Sequence, residues 1–237
     1  MIIALFLSHL VGDFILQWNG LAAWKSTSQK GVLVHCLLVF LTTWFFARLF
    51  DPGWWPWVFF IGSSHMVIDG GQLWLRQRFR WPHQGSFALA RFALDQILHV
   101  GVIVFALSAS GYLSPLDPGR DLLLALRQHP WLAYGLGYAF ILMPAWVTVK
   151  FFVYGLVQDV VPDFRSGSDK YVGIMERVLI TTFVVLGQYI LVPLVTLPRL
   201  LLGGRELARE DGKNLYLAEL LASVLLAVAV GLVLRQL

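Results

Sequence analysis

Four of the six histidines and three aspartates fall within stretches that are otherwise apolar. The first stretch holds His9 and Asp13, the third His65 and Asp69, and the fourth Asp95 and His99, the same pair in reverse order. His35 lies in the second. Residues four apart share one face of a helix, so each pair aims an imidazole and a carboxylate in the same direction. If successive stretches alternate in direction, the reversal puts His9, His65 and His99 at one depth. Asp13, Asp69 and Asp95 then form a second layer about 6 Å along, from a rise of roughly 1.5 Å per residue, with His35 near the aspartate layer. An ionised side chain inside a bilayer costs from about 2.5 to more than 10 kcal/mol. Such a cluster needs a shared compensation, which metal coordination or a proton relay supplies and plain packing does not.

Imidazole with carboxylate suits a divalent metal, zinc first and manganese or iron as alternatives. A pair of ions roughly 3.5–4 Å apart, bridged by carboxylate, fits between two such layers. The expected ligands are His9, Asp13, His65, Asp69, Asp95 and His99. Asp69 and Asp95 would bridge or act as general base, and His35 would be a ligand or proton shuttle, so that Asp69, Asp95 and His35 form the expected catalytic set. Gln17, Gln72 and Gln96 would orient ligands from behind. Structural hydrogen bonding alone is the plainer alternative, because a single histidine in an apolar span is commonly a bonded core residue.

Those residues require helices to hold them. The chain has 237 residues, 58% of them hydrophobic and 14% charged, with a mean hydropathy of +0.70. A soluble domain carries about 25% charged residues, so the composition indicates an integral membrane protein. The expected fold is all-α, a polytopic transmembrane helix bundle. Spans of roughly 20 residues read at about 2–18, 31–49, 54–75, 87–109, 131–157, 172–198 and 215–234. Seven spans are expected, with six plus a re-entrant or interfacial segment as the alternative. Residues 1–109 form a four-helix bundle holding the cluster, 110–130 an amphipathic interfacial linker, and 131–237 the C-terminal helices.

Lys25 and Lys30, then Arg76, Arg78 and Arg80, load the first and third connections with positive charge. The positive-inside rule puts these in the cytoplasm and the N-terminus outside. The arginine trio also suits a lipid phosphate. Glycines Gly12, Gly70 and Gly71 beside the polar positions suggest close helix approach. Glu176, Arg177, Lys150 and Glu219 read as internal ion pairs, and the single cysteine, Cys36, as a small buried hydrophobe. The +4 formal charge lies between apolar spans and gives no support to a nucleic-acid partner. Neither a Walker A loop nor HExxH, G-x-S-x-G or a Rossmann fingerprint is present, which leaves those mechanisms without support.

The run His9-Leu-Val-Gly-Asp13-Phe-Ile-Leu-Gln17, with His35, His65 to Asp69 and Asp95-Gln96-Ile-Leu-His99, resembles a bacterial integral-membrane family catalogued as a domain of unknown function. Lys170 to Arg177 and Tyr216 to Gly231 are similar to its C-terminal half, and the segment Leu197-Pro198-Arg199 departs from it. The resemblance implies residence in the bacterial cytoplasmic membrane and names no activity. The scattered His and Asp are more loosely similar to membrane-bound metal-dependent hydrolases. The leading expectation is thus a metal-dependent hydrolase of a membrane-embedded or amphipathic substrate, including phosphoesters. A divalent-cation or proton transporter is the competing class, and a non-catalytic subunit with a structural metal the third. Membrane lipids, a lipid-like substrate and a second copy of the chain are the expected partners.

Overall fold

The computed structural model describes residues 1–79, 81–164, 169–202 and 210–237. Among these the chain is all-α and separates into two compact units. Unit 1 comprises Met1–Pro82 with Phe92–Ala139, and unit 2 His83–Arg91 with Phe140–Leu237.

In unit 1, α1 (Ile2–Leu10) runs into a π-helical turn, Val11–Ile15, then bends by 88° into the short α2 (Asn19–Lys25). Three long helices follow: α3 (Gln29–Phe50), α4 (Trp55–Arg78) and α5 (Gly85–Ala109), the last belonging to this unit from Phe92 onward. Ser28 Oγ accepts from Lys30 N at 3.2 Å to start α3, and Asp51 Oδ1 accepts from Gly53 N at 2.9 Å in the tight turn before α4. Short polar caps of this kind satisfy N–H groups that a helix start leaves free. Tyr112 donates its hydroxyl to Asp51 Oδ2 at 2.9 Å, so the turns after α3 and after α5 share one end of the unit. Gln77 Nε2 donates to the Thr27 carbonyl at 3.4 Å, which ties the C-terminus of α4 to the α2–α3 turn.

The side chains of α3 sort by face. Leu33, Leu37, Leu41, Phe45 and Leu49, four residues apart, are exposed, while His35, Cys36, Val39 and Thr43 are buried. An apolar stripe outside and polar groups inside is the reverse of a water-solvated helix and is what a lipid solvent favours. Away from the polar cluster, Leu5, Trp54, Val58, Ile61, Ile103 and Leu107 belong to one apolar core. Leu122 and Ala125 of α6 (Pro118–Gln128) pack against it. Residues 110–130, read from sequence as a linker, thus run over the surface of unit 1 and on to α7 (Pro130–Ile141).

Unit 2 contains α8 (Met143–Val153), α9 (Asp169–Val185), α10 (Leu191–Leu202) and α11 (Glu210–Arg235). Ile180 and Val184 of α9 pack on Ala227 of α11. Arg177, 2% exposed, donates to the carbonyls of Ile141 (2.8 Å) and Leu142 (3.2 Å) and to Ser223 Oγ (3.1 Å). It satisfies carbonyls freed where α7 ends. Lys150 pairs with Glu219 at 3.1 Å and Arg199 with Glu176 at 2.8 Å. Of the residues expected to form internal ion pairs, Lys150 and Glu219 pair with each other, whereas Glu176 pairs with Arg199 and Arg177 serves two backbone carbonyls and Ser223.

Among the described residues, three helices are long and apolar enough to cross a membrane: Gln29–Phe50, Gly85–Ala109 and the Gly212–Arg235 part of α11. The number is five if Ile2–Ile15 with Asn19–Lys25, and Pro130–Ile141 with Met143–Gln158, each make one bent span. Seven were expected, and two stretches account for the difference. The 24 residues of α4 include His65, Asp69, Gln72 and two arginines, which lower its apolarity. The stretch 172–198 is interrupted between α9 and α10, where Gly187 takes φ +75°, a conformation glycine adopts without strain.

Candidate metal centre

The elements from α1 to α5 each bring one part of a single polar cluster. The π turn after α1 carries Asp13, which is 5% exposed. Leu16 N reaches back to Val11 O at 2.8 Å, the i to i−5 bond of such a turn, and π-bulges recur at functional sites. Gly12 lets this turn lie directly on α3: a Cβ there would stand 2.6 Å from Thr42 Oγ1 and 3.1 Å from Val39 Cα. Gly31 does the same for α2, where a Cβ would meet the Trp24 and Lys25 backbone at 2.5–2.6 Å. Gly70 and Gly71, also expected at close approaches, have at most a side-chain oxygen at 3.7 Å and make none.

At the centre, His35 Nε2 lies 3.0 Å from Asp13 Oδ1, 3.1 Å from His65 Nε2 and 3.4 Å from Asp69 Oδ2. His65 Nε2 lies 3.3 Å from Asp69 Oδ2 and 3.8 Å from Asp13 Oδ1. Five edges among four potential ligand atoms thus measure 3.0–3.8 Å. A regular tetrahedron with metal–ligand bonds of about 2.0–2.1 Å has edges of about 3.3–3.4 Å. Asp13, His35 and His65 form one group whose ligand atoms lie within 4.8 Å of one another, and Cys36, His65 and Asp69 form another.

A third such group is Asp69, Asp95 and His99. Asp69 turns Oδ2 to the first position, while its Oδ1 stands 3.9 Å from His99 Nε2. His99 Nδ1 lies 2.8 Å from the Asp95 carbonyl oxygen and 3.4 Å from its carboxylate. With the Nδ1 proton donated there, the lone pair is on Nε2, which is buried and makes no hydrogen bond. An imidazole fixed in this way is prepared as a metal ligand.

The glutamines divide. Gln96 donates to Asp13 Oδ2 at 3.3 Å and to Asp95 Oδ2 at 3.0 Å, and its Oε1 faces His9 Nε2 at 3.4 Å. Gln72 donates to Asp95 Oδ1. Gln17 leaves its buried Oε1 without a partner and touches none of the aspartates through it. The rings of His9, His65 and His99 lie side by side, with centroids 5.9 Å apart for His9–His99 and 4.1 Å for His65–His99. His9 Nε2 meets only Gln96, so His9 stands at the margin of the cluster and His35 at its centre.

Two participants escaped the sequence reading. Lys25, assigned there to a loop, places Nζ 2.8 Å from Asp69 Oδ2 and 3.9 Å from Asp13 Oδ1. Cys36 lies with Sγ 3.9 Å from Asp69 Oδ2. The spacing His35-Cys36 held no signal, since adjacent residues on a helix diverge by about 100°. The signal for Lys25 was Gly31, which only a closely docked α2 explains. Arg76 and Arg78 are exposed at the C-terminus of α4, where cations complement the helix dipole; Arg80 lies outside the described residues.

The cluster is therefore buried, rich in acceptors, and balanced by one tethered ammonium. Three ligand groups, the first two joined through His65 and the last two through Asp69, give it the geometry to hold a metal ion. Neither the curated proteins nor the solved structures yield a match to the chain. A family model described as "Protein of unknown function (DUF3307)" matches residues 1–116. The matched stretch holds every member of the cluster, and the chain is similar to that family over it.

Proposed function

We propose that the cluster is a divalent-metal centre and that the chain is a metal-dependent hydrolase of a membrane-embedded or amphipathic substrate, phosphoesters first. The observation that carries this reading is the near-tetrahedral spacing of Asp13 Oδ1, His35 Nε2, His65 Nε2 and Asp69 Oδ2. That spacing favours zinc over metals that prefer six oxygen ligands. A bound ion supplies Lewis acidity, polarising a scissile oxygen and acidifying water. The chain's own groups do the rest. Asp69 bridges toward the Asp95–His99 pair. Asp95, whose side chain is the most exposed of the three aspartates at 17%, is the general base, oriented by Gln72 and Gln96.

The apolar outer face of α3 supports residence in a membrane, and we assign it to the bacterial cytoplasmic membrane with the N-terminus outside. We further propose that α4 crosses as well, since 24 residues span about 36 Å at 1.5 Å each. With α9–α10 counted as one interrupted segment, the crossings then number seven. Lys30, Arg76 and Arg78 carry the orientation signal, Lys25 being engaged in the cluster.

Cation transport is the second reading, and Lys25 favours it: a tethered ammonium among the carboxylates suits a site that loads and releases its cation. One experiment separates the two. Zinc-loaded protein in detergent is offered a phosphatidic acid and a chromogenic phosphodiester, and the same protein in liposomes is assayed for zinc flux. Hydrolysis that disappears in Asp95→Asn supports the enzyme. Flux without hydrolysis supports the carrier.

A further inference from the structure

Cys36 is the chain's single cysteine, and it is buried on the seam between α3 and α4. Val32, one turn before it, and Leu73 of α4 pack beside it. One turn before Leu73 stands Asp69, whose Oδ2 lies 3.9 Å from Cys36 Sγ. Packing as a small hydrophobe, with a weak S–H bond to the carboxylate, is the plain role for such a residue. Two observations go beyond it. First, Cys36, His65 and Asp69 form a group whose ligand atoms all lie within 4.8 Å of one another. A tetrahedral zinc with bonds of about 2.3 Å to sulfur and about 2.0 Å to oxygen spaces those two atoms by about 3.5 Å. Closure by a few tenths of an ångström therefore seats an ion.

Second, His99 is 3% exposed, and its Nε2 has no hydrogen-bond partner among the described residues. That nitrogen faces Asp69 Oδ1 at 3.9 Å, and the His99 ring lies 4.1 Å from the His65 ring, centroid to centroid. A buried lone pair aimed at His65 and Asp69 calls for a cation held by those two residues. A neutral imidazole has one free lone pair and holds one ion. The Asp13–His35–His65 group and the Cys36–His65–Asp69 group are therefore alternative seats for the same ion, one of nitrogen and oxygen alone, the other with sulfur. Thiolate favours zinc and other thiophilic ions, whereas carboxylate and water suit manganese.

We propose that Cys36 ligates the ion as a thiolate, beside His65 and Asp69, and that this seat selects zinc and cadmium over manganese. The inference rests on the metal reading of the cluster and names the ions the cluster prefers. On binding, a sulfur–metal bond replaces the S–H bond and the proton is released to solvent, since a coordinating thiol is deprotonated. The test is anaerobic cobalt(II) titration of the full chain in detergent and thiol-free buffer. Ligand-field bands in the visible report bound cobalt. A sulfur-to-cobalt charge-transfer band in the near ultraviolet reports a thiolate, for which Cys36 is the one source. Wild type should show both. Cys36→Ser should keep the visible bands, as the ion moves to the Asp13–His35–His65 seat, and lose the near-ultraviolet one. The same variant should bind cadmium at least about tenfold more weakly, the lower end of the loss seen for residues behind the ligands, with manganese affinity unchanged. Cys36→Ala repeats the comparison without a buried hydroxyl, and melting temperatures check that both variants fold. Visible bands without charge transfer in wild type would overturn the proposal and leave a nitrogen–oxygen metal centre standing. Cadmium affinity left intact in both variants would overturn it too. Absence of any cobalt band would remove the metal reading itself, and this inference with it.

Discussion

At the scale of single residues, Lys25 and Asp69 decide how the cluster behaves. Asp69 touches Lys25, His35, His65 and, through its other oxygen, His99. Asp69→Asn keeps the shape and removes the charge, so metal affinity should fall at least about 10–100-fold, the loss seen even for residues behind the ligands. Calorimetric zinc titration of the purified protein checks it. Lys25→Gln should act in the opposite direction on metal, because the competing ammonium is gone, and zinc should bind more tightly than to wild type. Without metal the same variant leaves Asp13 and Asp69 uncompensated, and removing one partner of a buried pair costs about 3–5 kcal/mol. Its melting temperature should therefore drop in chelator and recover in zinc. An unchanged zinc affinity would show that the ammonium and the ion do not compete. The sequence made these carboxylates and imidazoles legible because pairs at i, i+4 point one way and because charges in apolar helices demand compensation. It hid Lys25 and Cys36, since neither follows that spacing; only the folded α2–α3 contact brings the ammonium to the aspartates.

At the scale of elements, the cluster depends on backbones lying close together. Gly31→Ala puts a methyl within 2.6 Å of the α2 backbone, which cannot yield as a side-chain tip would. Overpacking of this kind costs about 1–3 kcal/mol, and here it should also lift Lys25 from Asp69. A zinc affinity that rises as in Lys25→Gln would confirm the coupling. In unit 2, Arg177→Met strands the Ile141 and Leu142 carbonyls, and each buried orphan costs roughly 1–3 kcal/mol. Thermal unfolding should shift accordingly while metal content stays at the wild-type level, because Arg177 touches no ligand. Asp159 shows a smaller device: at φ 52° it turns its carboxylate to accept from Ser86 N at 2.7 Å. That backbone hydrogen bond holds its pKa below the ordinary carboxylate value. The contribution is complete above the unfolded pKa of about 3.9 and is lost as pH falls through the depressed folded value. The helices themselves were largely legible as apolar runs between Gly-, Pro- and Asp-rich turns. The 88° bend after Ile15 and the interruption near Gly187 were not, because an apolar run of the right length reads as one span whether or not a turn divides it.

At the scale of the molecule, the described chain is helical, several of its helices are long and apolar enough to cross a membrane, and its first unit buries a His/Asp cluster with the geometry to hold a metal ion. Orientation is tested on single-cysteine variants: Lys30→Cys and Arg78→Cys should react with an impermeant thiol reagent from one side of the membrane and Ser114→Cys from the other. Buried Cys36 should contribute little background. Labelling of all three from the same side would overturn the arrangement of crossings. The central claim, that the cluster holds metal, is met most directly by elemental analysis of the protein purified in detergent without chelator, beside Asp69→Asn. The account predicts about one or two divalent ions per chain, zinc first, in line with the mononuclear or carboxylate-bridged geometry, and their loss in a variant that still folds. A wild-type protein without metal, or a variant that retains its full complement, would contradict it and leave Lys25 as the cation the aspartates are built to hold.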